Sequence, residues 1–278
     1  MLMAHTASTG GFLRAQWLLL GCMLAGGGCV SAPRQQSAYA PPGYERGVIF
    51  SIDGAGGFEA SSASLRETVR ATGIPLRVET VSWSHGYGRS ISDQIDWNYA
   101  RQQGYALAGR IRELRHACPQ EEIYIICHSA GSAVALGAAE SVGPGDFDRL
   151  VFLAPSISAD YDLRPALRNA RDGIDVFFSG RDIGYLGAGI LIFGTADRRW
   201  PAAAAGRVGF RPCLACPGDE MLYAKLRQHE WNACVAWTGN EGGHYGSYRS
   251  GFMAAYILPL LNRSRQPTVT MMPATAPG

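Results

Sequence analysis

Between residues 123 and 139 the chain passes from an apolar run, Ile-Tyr-Ile-Ile-Cys, into a run of small residues through the junction His128-Ser129. The first run predicts a buried strand and the second a helix. A strand that becomes a helix within so few residues must bend sharply. Strand and helix can then approach each other only if the residues two before and two after the apex are small. Cys127 and Gly131 hold those two places. The bend pushes the Ser129 side chain out at the C-terminal end of the strand, above the N-terminus of the helix.

The rest of the chain alternates in the same way. Strands are predicted at 47–52, 76–83, 123–127, 150–154, 174–179 and 232–238. Helices are predicted at 60–72, 91–116 with an irregularity near Gly104, 130–139, 163–169 and 247–261. Alternation of this kind implies an α/β fold, a mostly parallel sheet of about six strands flanked by helices through right-handed crossovers. At 278 residues the chain can bury one such core. Ligands of open parallel sheets sit beyond the C-terminal ends of the strands, so residues just after each strand are the functional candidates.

Three such places carry chemistry. After the first strand comes Asp53-Gly-Ala-Gly-Gly57, after the fifth Gly180-Arg-Asp182, and after the sixth Asn240-Glu-Gly-Gly-His-Tyr-Gly-Ser247. Asp160 and Asp162 follow the fourth strand, and Asp197 lies further on. Of the six histidines, only His244 stands in a Gly-rich loop ahead of the terminal helix.

Cys127-His-Ser-Ala-Gly131 resembles the nucleophile elbow of the α/β-hydrolases, G-x-S-x-G, with Cys in place of the first Gly. The order Ser129, Asp182, His244 is similar to that family's order of nucleophile, acid and histidine. The resemblance covers about residues 47–261 and implies a hydrolase sheet trimmed at its N-terminus. It implies Ser129 as nucleophile, His244 as base and Asp182 as the acid, with Asp160 and Asp162 as rival acids and Asp197 behind them. It also implies an oxyanion hole from the N–H groups of Ala130 and of Ala55 in the glycine-rich loop, with Gly56 as a second choice for the latter; Asp53 stands where the family has His. Many lipases carry a long insertion after the fourth strand. Here the extra length falls between 183 and 230, and its apolar start, 183–193, either covers the site or packs as core.

The implied activity is cleavage of a small-molecule or lipid carboxylic ester. A thioesterase, a serine peptidase or a non-catalytic surface lipoprotein on the same scaffold are the alternatives, since a fold does not select among them. No cofactor or metal is expected: the glycine loop lacks the dinucleotide spacing, and Cys213-Leu-Ala-Cys216 lacks the second pair of a zinc site. Nucleic acid is not an expected partner, because the net charge is +2 and no basic stripe interleaves with aromatics.

The N-terminus predicts export. Arg14 precedes a short apolar core at 17–24, and Ala-Gly-Gly-Gly-Cys29 follows. This resembles a bacterial lipoprotein signal with lipid on Cys29, Cys22 being the rival, and a periplasmic or membrane-anchored protein. The reading divides the chain into a signal at 1–29, a Pro/Ser/Gln-rich tether at 30–46, the hydrolase-like domain at 47–262 and a polar, Pro-rich, disordered tail at 263–278. Cys127 is expected as a packed thiol and Cys118 as unpaired. Export favours a disulfide between Cys213 and Cys216, or from either to Cys234.

Overall fold

The computed structural model describes residues 45–261. The expected signal, Cys22, Cys29, the tether up to residue 44 and the tail lie outside the described residues. Six parallel strands form one sheet: β1 (Gly47–Ile52), β2 (Leu76–Thr80), β3 (Glu122–His128), β4 (Phe147–Leu153), β5 (Ala170–Phe178) and β6 (Leu226–Glu230), in the order β2-β1-β3-β4-β5-β6. The crossovers carry α1 (Ala60–Thr72), α2 (Ser90–Ile95), α3 (Trp97–Ala117), α4 (Gly131–Ser141) and α5 (Arg164–Asn169).

The central strands are apolar on both faces, as strands covered twice must be. Along β3, Ile123, Ile125 and Cys127 join one core with residues of α3, α4 and α5. Tyr124 and Ile126 join the other, against Leu65 and Val69 of α1 and Phe252, Met253 and Ile257 near the C-terminus. Register aligns the strand ends: Ile52 pairs with Cys127, His128 with Leu153, and Leu153 with Phe177. The loops that leave β1, β3, β4 and β5 therefore start at one level, and this level holds the site.

Two expectations are corrected. The sixth strand is Leu226–Glu230, and the segment predicted for it is a 3-10 helix, Ala233–Thr238. Asn232 starts that helix by accepting from the Cys234 N–H, and Gly239 ends it at φ 86°. The true β6 reads Leu-Arg-Gln-His-Glu and shows no apolar alternation. Its charges are satisfied across the sheet instead: His229 Nε2 lies 2.8 Å and Arg227 Nε 3.0 Å from Asp175 Oδ1, and Arg149 pairs with the same carboxylate. Burial alone would raise the Asp175 carboxyl, but bonds from His229 and Arg227 and the charge of Arg149 outweigh it and hold the group well below the usual carboxylate range.

The second correction concerns the long helix. It breaks at Asp96, whose side chain accepts the Tyr99 N–H at 3.0 Å and starts α3. Gly104 sits in regular helix, where α3 crosses α4. A Cβ there would lie 2.4 Å from the Val134 carbonyl oxygen and 2.7 Å from the Gly137 Cα. Smaller boundary shifts accompany these: β2 stops at Thr80, β4 and β5 start earlier, at Phe147 and Ala170, and the terminal helical segment begins at Ser250.

The predicted disulfides do not form. Cys118, Cys127, Cys213, Cys216 and Cys234 are all free. The Cys216 N–H donates to Asp219 at 2.8 Å, and its sulfur lies 3.8 Å from Arg164 Nη1.

Candidate active site

Ser129 has φ 50°, the left-handed region that a non-glycine residue enters only under constraint. The constraint is visible. The Ser129 N–H donates to the Leu153 carbonyl at 3.0 Å, and the Ser129 carbonyl accepts from the N–H groups of Ser132 and Ser156. The close approach that the sharp bend requires is made at Gly131, where a Cβ would stand 2.4 Å from the Asp53 carbonyl oxygen. Cys127 is fully buried, which pushes its thiol well above its ordinary value.

Ser129 Oγ lies 2.9 Å from His244 Nε2, and His244 Nδ1 lies 2.5 Å from Asp182 Oδ2. The second oxygen of Asp182 accepts the Leu186 N–H at 3.2 Å. Asp182 and His244 are both buried. With a carboxylate on Nδ1, the ring carries its proton there and offers Nε2 as acceptor to the hydroxyl. The rival acids point elsewhere: Asp160 faces Arg211 and Asp162 faces Arg164, both at the surface, while Asp197 accepts from Ser158 N–H and Oγ.

The histidine loop is held at several points. Asn240 Oδ1 accepts the Gly242 N–H at 3.0 Å, and Trp231 Nε1 donates to the Asn240 carbonyl at 2.8 Å. Gly242 has φ 85°, and a Cβ there would meet Arg181 and Trp231 at 2.9 Å. Tyr185 stacks on the His244 ring with centroids 4.7 Å apart.

His128, the residue before the candidate nucleophile, supports the same loop from beneath. Its Nε2–H donates to the His244 carbonyl at 3.0 Å. Burial, together with the neighbouring His244 charge, pushes its pKa down to about 3 despite that bond. His128 is therefore neutral at ordinary pH.

The glycine loop after β1 is held by two carboxylates. Asp53 is buried and accepts the N–H groups of Ser61 and Ser62 at the start of α1, at 2.7 and 3.2 Å. Desolvation raises its pKa against the pull of those bonds. Asp93 on α2 accepts the Gly56 N–H at 2.7 Å, Ser84 Oγ at 2.6 Å and the His85 N–H at 2.8 Å. The Gly56 N–H is thus taken up by Asp93. The N–H groups of Ala130 and Ala55 have no hydrogen-bond partner among the described residues.

The segment after Asp182 does both things expected of it. Leu186 and Ile190 pack with Ala154 and Ala204 as a small core, while Tyr185 covers His244. Sequence reasoning missed His128, Asp93 and Tyr185. Nothing in their local patterns marks them, because each acts through a partner at least 37 residues away, as Gly56 to Asp93 shows. Among the described residues, no group of three or more His, Cys, Asp or Glu is arranged to hold a metal ion.

No protein-family model matches the chain, and no curated protein matches it. Solved structures do. LpqC, a poly(3-hydroxybutyrate) depolymerase from Bordetella parapertussis, aligns over 83% of this chain and 84% of its own, at 16% identity and TM-score 0.52. Est1E from Butyrivibrio proteoclasticus aligns over 80% and 91%, at 11% identity and TM-score 0.44. XC6422 from Xanthomonas campestris, a serine hydrolase without lid, aligns over 77% and 85%, at 13% identity and TM-score 0.43. The strand order and the first of these likenesses give the chain its identity at the level of architecture: it has the α/β-hydrolase fold.

Proposed function

We propose that the protein is a serine hydrolase that cleaves carboxylic esters through an acyl-enzyme. The observation that carries this reading is the continuous relay from Ser129 Oγ through His244 to Asp182, with 2.9 and 2.5 Å links. In this reading His244 Nε2 takes the Ser129 proton as Oγ attacks the ester carbon. The N–H groups of Ala130 and Ala55 face the oxyanion that forms, and Asp182 stabilises the imidazolium. His244 then hands the proton to the leaving alkoxide, and water repeats the sequence to release the acid. The depolymerase of similar fold is named for a polyester, which is also a carboxylic ester. Export with lipid on Cys29 belongs to the same proposal on sequence grounds, and mass spectrometry of the mature N-terminus checks it.

A fluorophosphonate probe with a panel of p-nitrophenyl esters tests the chemistry. Wild type should be labelled and should turn over esters, and Ser129→Ala should lose both while melting as wild type does. Equal turnover in the folded Ser129→Ala variant, or no labelling of wild type, rejects the reading in favour of a non-catalytic scaffold.

A further inference from the structure

Large apolar side chains are unevenly placed on this molecule. Of the fifteen that are exposed among the described residues, ten lie on residues 53–59, 81–95 or 179–200, just after β1, β2 and β5, or on the His244 loop. These segments touch one another around the Ser129 end of the sheet. Phe58 and Tyr87 meet edge to face at 5.1 Å, and Gln94 Nε2 of α2 donates to the Gly194 carbonyl at 3.2 Å. Trp200 Nε1 donates to the Leu191 carbonyl at 2.9 Å, which satisfies the indole and leaves its ring outward, 67% exposed. Leu191 and Ile192 are 68% and 55% exposed beside it, and Ile91 on α2 is 52% exposed. Folding alone gives no reason to leave such side chains in water together.

The exposed charges on two of these segments are cationic. Residues 183–200 carry Asp197, Arg198 and Arg199. Asp197 turns inward to Ser158, at 2.9 Å to its N–H and 2.5 Å to its Oγ, while both arginines are exposed. Residues 84–95 repeat the pattern: the Asp93 side chain is buried in the glycine-loop network, and Arg89 is exposed between Tyr87 and Ile91. On residues 84–95 and 183–200 the outward face therefore presents aliphatic and aromatic side chains interleaved with cations; on the adjoining stretches Glu241 is an exposed acid and Asp96 a half-exposed one.

We propose that this rim docks the protein on an anionic phospholipid surface, with the Ser129 end of the sheet toward the bilayer. Leu191, Ile192, Trp200 and Ile91 enter the boundary between headgroups and acyl chains, and Arg89, Arg198 and Arg199 meet the phosphates. A second copy of the chain fits this face less well, because a two-fold interface would bring the arginine-bearing segments at 84–95 and 183–200 toward their own copies. Docking goes beyond the hydrolase reading and needs no turnover, so the two can fail separately.

The test is vesicle flotation of the full chain carrying Cys22→Ser and Cys29→Ser, which prevents any lipid anchor; the signal is common to all variants and cancels between them. Vesicles are phosphatidylcholine alone or phosphatidylcholine mixed with phosphatidylglycerol. The chain should bind the anionic vesicles about tenfold more tightly than the neutral ones, and raising salt to about 0.5 M should erase that preference. Leu191→Ser/Ile192→Ser/Trp200→Ser should lose about tenfold in binding, with Leu191→Ser alone showing part of the loss should the triple variant misfold. Arg89→Glu/Arg199→Glu should lose the preference for phosphatidylglycerol. Melting temperature and turnover of a soluble p-nitrophenyl ester should stay at the level of the parent chain in all of them. Unchanged flotation of the well-folded serine variants overturns the proposal. So does equal binding to both vesicle types. Self-association in the absence of vesicles that the triple variant abolishes also overturns it, and would make the face a contact between copies.

Discussion

His128 shows how one buried side chain can be held neutral and still direct the group beside it. Its Nε2–H fixes the His244 carbonyl, and so fixes where the His244 ring begins. Replacing it with Phe should lower kcat by about 10²-fold while KM changes little, since a displacement of about 1 Å at a proton-transfer group costs that much. His128→Gln, which keeps a donor, should recover part of the loss, and steady-state kinetics with a p-nitrophenyl ester separates the two variants. The depressed pKa has its own consequence. Between about pH 6.5 and 3 the unfolded chain binds a proton at His128 that the folded chain does not, so folding stability falls as pH falls across that window. The slope is at most about 1.4 kcal/mol per pH unit, and it should be missing from urea titrations of His128→Gln. Asp182→Asn should lower turnover on the order of 10⁴-fold, because the ring then loses the partner that sets its tautomer. Asp160→Asn and Asp162→Asn should stay near wild type, their partners being surface arginines. Ser129 and Asp182 could be picked from sequence as candidates because each follows a strand. His244 could be picked for its glycine-rich loop ahead of the terminal helix and for the order of the three, although the strand expected just before it is a 3-10 helix. His128 could not, because the carbonyl it serves is 116 residues away.

At the scale of elements, the contact between α3 and α4 sets how the elbow helix lies on the sheet. Gly104 and Gly137 let the two backbones meet, and Gly131 does the same between α4 and the end of β1. Gly104→Ala makes an instructive change. In an isolated helix it would add about 1 kcal/mol of stability. Here its Cβ would stand 2.4 Å from the Val134 carbonyl, backbone that cannot swing aside. The overlap should win, for a net loss of about 2 kcal/mol in urea unfolding. Elements with apolar periodicity were legible, and β1 and α1 keep the bounds predicted for them. Those that failed were decided by partners. β6 looks like a polar loop until Asp175 is placed opposite His229 and Arg227. The segment at 233–238 looks like a strand until the Asn232 side chain is seen to cap it. The break at Asp96 has the same cause, a local side-chain bond that competes with continuing helix.

Over the whole molecule, the sheet joins two regions of different character. The strand ends near Ser129 carry strained backbone and loops, while the body of β4, β5 and β6 carries the buried carboxylate of Asp175 among Arg149, Arg227 and His229. Asp175→Asn would leave those cations without their shared counter-charge and should cost about 3 kcal/mol of stability with ester turnover retained. Its depressed pKa contributes stability that is present above about pH 3.9 and lost as pH falls below it, so the variant should also lose that part of the acid-unfolding profile. The same polar strand, β6, forms one margin of the sheet, and β2 forms the other. Both are five residues long and both carry charge: β2, Leu-Arg-Val-Glu-Thr, alternates charged with apolar side chains, and β6, Leu-Arg-Gln-His-Glu, is polar after its first residue. An unpaired strand margin invites further strands from other chains, and short length with charge is how proteins discourage this. The price of a β6 that is hard to recognise in sequence is thus matched by a benefit during concentration or partial unfolding: neither end of this sheet offers a flat apolar template, so edge-to-edge growth into fibrils is disfavoured at both margins.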